Sequence, residues 1–150
     1  MDEKELSFLL KNGITKIAVG GNEIVWYSLG YNLKLQKNER WDCVSFDNSK
    51  YEDMIKGPNV FYRKHVAVKK NETSQWIWKI IEDSFIKDIK KKAFEYIIAE
   101  IAKCIPKNGK TVKNNFSMRY HTKKWFQKIG LVKYWECDYQ EEWHLMLLKL

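Results

Sequence analysis

A chain of 150 residues with 45% hydrophobic and 15% aromatic content is long enough for a packed core and too apolar for disorder. Its negative mean hydropathy, and the lack of any run of about 20 apolar residues, exclude a membrane-spanning helix. The net charge of +8, from 27 basic and 19 acidic residues, suits either an anionic partner or a solvated, Lys-rich surface. The start, Asp2-Glu3-Lys4-Glu5, carries no signal-peptide core, so an intracellular, soluble chain is expected. Cys43, Cys104 and Cys137 are odd in number and lack metal-ligand spacing, which predicts buried free thiols rather than a zinc site.

In chain order, Asp2 to Lys11 predicts a helix with Leu6, Leu9 and Leu10 on one face and Asn12-Gly13 as its stop. Ile14 to Val19 and Asn22 to Ser28 read as a hairpin turning at Gly20-Gly21-Asn22. Tyr31 to Gln36 and Trp41 to Phe46 read as a second pair across Lys37-Asn38-Glu39-Arg40. Asn48 to Lys56 predicts a helix capped by Asp47 or Asn48 and stopped by Gly57-Pro58. Val60 to Lys69 and Gln75 to Ile81 follow as strands, the second apolar on both faces and therefore central in a covered sheet. A helix is expected over Ser84 to Ile105, with Phe85, Ile89, Ala93, Ile97 and Ile101 as its apolar stripe. Thr111 to Met118 reads as a strand and Tyr120 to Ile129 as a short helix stopped by Gly130. Leu131 to Tyr139 and Trp143 to Leu150 then form an antiparallel pair turning at Gln140-Glu141-Glu142.

This order, with the stretch Trp125-Phe126-Gln127-Lys128-Ile129-Gly130-Leu131, resembles the C-terminal half of the GNAT acyltransferase fold. There a Phe-Tyr-Glu-Lys-Leu-Gly-Phe signature closes the last helix and two strands follow. The resemblance implies a mixed α/β, GNAT-like fold, with a mixed central β-sheet flanked by helices and a β-rich N-terminal part. One domain is expected over 1–150, with residues 1–56 divergent and 57–150 GNAT-like. The strands before and after the long helix should run parallel and splay apart.

The family's chemistry is a separate question. In active members a Gly-rich loop before the long helix holds the coenzyme A pyrophosphate on bare backbone N–H groups. The stretch matched to it, Glu82 to Lys92, has no glycine, and Glu82, Asp83 and Asp88 would repel phosphate. The signature Tyr, a frequent general acid, matches Phe126, and the Asn six residues ahead of the signature's first aromatic matches Arg119. Tyr120 and His121 are the substitutes if the chain is an enzyme. No GxSxG, Walker loop or HExxH occurs. His65 and His144 lie on strand patterns and read as structural.

A narrower resemblance is to the small GNAT-like proteins of short-tailed bacteriophages, which lack an evident catalytic motif. It rests on Gln75 to Asp83 as a Trp-rich strand, Lys87 to Lys92 as a basic helix, and Trp125 to Leu131. It implies a non-catalytic virion or ejection-associated protein without cofactor, made in the host cytoplasm, whose partners are other virion proteins or further copies of itself. Trp26, Tyr27, Trp41 and Tyr62 would serve such contacts if exposed, and otherwise fill the core. One alternative is a divergent acetyl-coenzyme A-dependent N-acetyltransferase. The other is a nucleic-acid-binding accessory protein using Lys87, Lys90, Lys91 and Lys92 together with Lys107 to Lys113.

Overall fold

The structure, a computed structural model, describes residues 2–35, 43–69, 75–136 and 139–150. Asp2 caps α1 (Glu3–Asn12), its carboxylate accepting the Glu5 N–H at 2.8 Å. Strands β1 (Gly13–Gly20) and β2 (Glu23–Asn32) form the expected hairpin, with Gly21 in the left-handed region at φ 63. After a 3-10 turn at Leu33–Leu35 come β3 (Val44–Phe46) and α2 (Ser49–Lys56), the latter capped by Asn48 at 3.0 Å from the Lys50 N–H. Then follow β4 (Val60–Val68), α3 (Gln75–Lys91) and β5 (Tyr96–Ala102). A separate hairpin of β6 (Cys104–Lys107) and β7 (Lys110–Lys113) leads into α4 (Asn115–Lys123). Strands β8 (Gln127–Glu136) and β9 (Tyr139–Lys149) complete the described chain.

Seven strands make one sheet in the order β1-β2-β4-β5-β9-β8-β3, antiparallel except for the β4–β5 pair. Its central strands are apolar on both faces, as coverage by helices on both sides requires. Val60, Tyr62, Ile98, Leu145 and Leu147 face Leu9 of α1 and Ile55 of α2. Phe61, Ile97, Ala99, Met146 and Leu148 face Phe85 and Ile89 of α3. Among the described residues no helix is long and apolar enough to cross a membrane.

The structure corrects the sequence reading at several points. Gln75–Ile81 is the start of α3, not a strand, because Trp78, Ile81, Phe85 and Ile89 continue one stripe at helical spacing. The strand leading into the long helix is therefore β4. That helix stops at Lys91, where Ala93 takes a left-handed φ of 63. Tyr96–Ala102, read as its second half, is the central strand β5. Thr111–Met118 divides between β7 and α4, and Gln127–Ile129 is strand rather than helix.

Val44–Phe46 pairs with β8 rather than with the Tyr31 segment, while residues 36–42, with Trp41, lie outside the described residues. Glu136 pairs with Tyr139, so Gln140-Glu141-Glu142 is strand and not turn. Gly130 ends no helix. It sits in β8, where an added Cβ would fall 2.5 Å from the Ser45 carbonyl oxygen, so its role is to let β3 approach. Cys104 is exposed and Cys43 half-buried, contrary to the buried thiols expected, while Cys137 lies outside the described residues. Trp26 and Tyr62 are core, and Tyr27 is half-buried.

Candidate active site

The parallel pair opens at one end. β4 and β5 pair only from Val60–Tyr96 to Arg63–Ala99, although β4 runs on to Val68 and β5 to Ala102. A bulge helps to turn β4 away: Leu29 faces His65 and Gly30 faces Arg63, leaving Lys64 extra. Gly30 permits the close approach there, since a Cβ would lie 2.2 Å from the Tyr62 oxygen. Between the diverging strands is a cavity of about 250 Å³, with residues 63–66 and 99–102 on its walls and Asn114, Ser117 and His121 among its lining. Two strand edges no longer paired with each other thus face one space, at the carboxyl ends of adjacent parallel strands, where open α/β sheets bind ligands.

Of the two imidazoles in that lining, His65 and His121, the more deeply buried is His121. It is only 3% exposed. Its Nδ1 lies 2.8 Å from the Ser117 carbonyl oxygen, which assigns the ring proton to Nδ1 as donor and leaves Nε2 as an acceptor. Nε2 is buried without a hydrogen-bond partner. Burial and then the nearby Arg63 cation push the ring's pKa down to about 4, against the smaller opposing effects of the Ser117 hydrogen bond and Glu82. At neutral pH the cavity therefore holds a neutral imidazole with a free lone pair.

Behind it lies a buried polar network. Arg63 and Glu82 form a two-pronged pair at 2.6 Å for each prong, and both side chains are almost wholly buried. Arg63 Nε donates to Ser28 Oγ at 2.9 Å, and its guanidinium lies over the Phe85 ring. Tyr120 OH donates to Glu82 Oε2 at 2.8 Å and receives the Trp26 indole N–H at 3.4 Å. Burial would raise the Glu82 pKa, but Arg63 outweighs it and keeps the carboxylate ionised. Burial and the Glu82 charge push the Tyr120 phenol well above its usual range. Tyr120 is thus a fixed donor, locked to Glu82 of α3.

This geometry moves the signature. Helix α4 ends in a Schellman motif: Trp125 N–H bonds the Thr122 oxygen at 3.1 Å, and Phe126 N–H bonds the His121 oxygen at 3.2 Å. The left-handed position that a signature glycine would occupy is Trp125, at φ 68. The following aromatic is then Phe126, which is buried against His121 at 5.1 Å between ring centroids. Counting back, the first aromatic is Tyr120, the tyrosine position is His121, and the asparagine six residues ahead is Asn114. The match to Phe126, Arg119 and Gly130 is displaced by five residues. Of the two substitutes named from sequence, His121 lines the cleft, whereas Tyr120 lines the separate space between α3 and α4.

The cofactor-loop assignment shifts as well. Glu82–Lys92 lies mostly within α3, and the connection before that helix is 69–74. The three acidic residues read as repelling phosphate are each paired: Glu82 with Arg63, Asp83 with Lys124, and Asp88 with Lys16. The sequence of that connection, Lys69-Lys70-Asn71-Glu72-Thr73-Ser74, also lacks glycine, and residues 70–74 lie outside the described ones. An acyl thioester fits the cleft at its reacting end, where open edges and the orphaned Nε2 meet. Lys87, Lys90, Lys91 and Lys92 are all exposed near the C-terminal end of α3, none of them in the lining of the cleft, and Lys90 lines the space between α3 and α4. Arg63, Glu82, Ser117 and Asn114 went unnoticed in sequence as site residues. The six-residue spacing from Asn114 to Tyr120 was the signal available.

No protein-family model and no curated protein matches the sequence. Solved structures do match. One is a ribosomal-protein-alanine N-acetyltransferase from Brucella melitensis, with a TM-score of 0.64 and 15% identity over 100% of this chain and 80% of that one. Another is a putative GNAT-family acetyltransferase from Desulfovibrio desulfuricans, at 0.63 and 8% over 98% and 74%. A third is a GNAT acetyltransferase from Elizabethkingia anophelis with acetyl-CoA bound, at 0.56 and 15% over 99% and 84%. The likeness takes in the N-terminal part as well as residues 57–150, and the chain has the fold of the GNAT acetyltransferases.

Proposed function

We propose that the chain is a divergent acyltransferase that accepts an acyl thioester, of the acetyl-coenzyme A type, in the cleft between β4 and β5. The observation that carries this reading is the buried, unpartnered Nε2 of His121 in a cavity between two open strand edges. A buried acceptor left unpaired costs about 1–3 kcal/mol, and of the three such side-chain atoms among the described residues, with Thr15 Oγ1 and His144 Nδ1, only His121 Nε2 belongs to a residue lining this cleft. The thioester supplies the activated acyl group when bound. The strand edges offer backbone N–H and C=O groups to an extended, amide-bearing chain. Nε2 takes the proton from the amine as it attacks and passes it to the departing thiolate; the low pKa favours the second transfer and opposes the first. The Arg63–Glu82–Tyr120 network holds α4, and with it His121, at a fixed height over the sheet.

One sequence feature favours the second reading, a non-catalytic virion or ejection-associated protein of a bacteriophage. The connection before α3 has no glycine to let a pyrophosphate approach its backbone. Thermal melting with millimolar acetyl-coenzyme A separates the two. A site held at 100 times its dissociation constant adds about 2.7 kcal/mol of stability. An upward shift, with thiol release in the presence of amine acceptors that His121→Ala abolishes, supports the acyltransferase. An unchanged melting temperature supports the virion protein, whose salt-resistant self-association is then the property to measure.

A further inference from the structure

Helices α3 and α4 leave between them a second and larger space, a groove of about 900 Å³ that reaches the C-terminal residues Leu148–Leu150. Its lining carries six cations, Lys79, Lys90, Arg119, Lys123, Lys124 and Lys149, against one acid, Asp83. Asp83 is already matched by Lys124 at 3.4 Å. Among the described residues the other five cations have no ion-pair partner. The floor includes apolar Ile86 and Leu148.

Aromatic rings stand at the same groove. Phe116 is 52% exposed and Trp125 86% exposed, and Trp78 is half-buried. Trp125 is the informative one, because it occupies the left-handed Schellman position at φ 68 where glycine is favoured. A bulky residue in this conformation, with its ring in solvent, gains nothing for the fold. An observed outlier of this kind points to function.

We infer that this groove binds single-stranded nucleic acid. Unpaired cations in a groove that tracks a phosphate backbone, with exposed rings on which bases stack, are the two elements of such sites. Length favours a strand over a single nucleotide. Lys79 and Lys90 are eleven residues apart on α3, about 16 Å along the axis, a length that reaches more than one phosphate of an extended strand. Of the lysine run singled out in the sequence, only Lys90 takes part, and the α4 cations Arg119 and Lys123 replace the rest. His121 is not in the lining of this groove, and the one residue it shares with the network behind the cleft is Tyr120.

The test is fluorescence anisotropy of a labelled oligothymidylate titrated with the full chain. The expected affinity falls with salt, and Arg119→Ser lowers the slope of log affinity against log salt by about 0.7. Trp125→Gly weakens binding about tenfold while raising the melting temperature, a combination that a merely structural tryptophan would not give. The inference is overturned if no binding is seen, if Trp125→Gly leaves affinity unchanged, or if a duplex or polyglutamate binds equally well. Displacement of the oligonucleotide by equimolar coenzyme A also overturns it, because the groove would then serve a mononucleotide end.

Discussion

The inner and outer faces of α4 show two ways of using polar residues. On the inner face Asn114, Ser117 and His121 line the cleft, and on the outer face Phe116, Arg119 and Lys123 line the groove. Both sets follow helical spacing, so a nine-residue helix serves two separate spaces. Inside, Arg63 and Tyr120 are both bonded to Glu82, and His121 Nε2 is left without a partner. Outside, the cations stand unpaired in solvent. A buried group must be matched or be costly, whereas an exposed one is nearly neutral to the fold. The inner face should therefore dominate stability.

The largest effect tests that contrast directly. Glu82→Gln leaves the Arg63 charge buried and unmatched, and should cost about 3–5 kcal/mol in urea unfolding. Replacing both partners with apolar residues of similar size should recover much of the loss. If the single substitution costs no more than a surface change, the inner network is not the anchor described.

Next comes pH. The folded pKa of His121, at about 4, lies below the unfolded value near 6.5. The unfolded chain therefore binds the extra proton between those values, and stability is complete above about pH 6.5 and falls as pH drops toward 4. The expected loss is roughly 3 kcal/mol. His121→Phe should remove this part of the slope. Glu82, held below its usual value by Arg63 despite burial, adds a further loss as pH falls below its unfolded pKa of about 4.5 and through its folded one.

Two smaller effects come from the outer face. Trp125→Gly should stabilise the fold by about 1 kcal/mol by relieving the left-handed backbone. Arg119→Ser should change stability by less than about 0.5 kcal/mol. A substantial loss from either would mean that the outer face, too, holds the fold together.

Much of the architecture was legible where local chemistry is unambiguous. Asn12-Gly13 marks the stop of α1, Asp47 and Asn48 bracket the cap of α2, which proves to be Asn48, and Gly20-Gly21-Asn22 marks the first hairpin. The parallel, splayed pair was expected and is present, but at β4 and β5. It was misplaced because Gln75–Ile81 is apolar at nearly every position, which strands and buried helices share. Tyr96–Ala102 failed for the converse reason: Ile97 and Ile101 prolong the stripe of α3 by accident of spacing. The candidate site was half visible. His121 was named from sequence, but a tryptophan at the left-handed stop concealed the end of α4 and gave the signature to Gly130. Arg63 and Glu82 meet only through the fold, and no local pattern announces them.

The position of β3 bears on the order in which the chain can be assembled. β2 and β3 are consecutive strands, yet β4, β5, β9 and β8 separate them in the sheet. Val44–Phe46 finds its partner only in residues 130–132, and Asp47 N–H only in the Ile129 oxygen at 2.8 Å. A nascent chain that has emerged as far as α2 thus lacks the strand against which β3 must dock. Such long-range closure slows folding and leaves β3 without its strand partner until β8 arrives. Synthesis from the N-terminus therefore cannot complete this sheet strand by strand, and the N-terminal third must wait for its C-terminal counterpart.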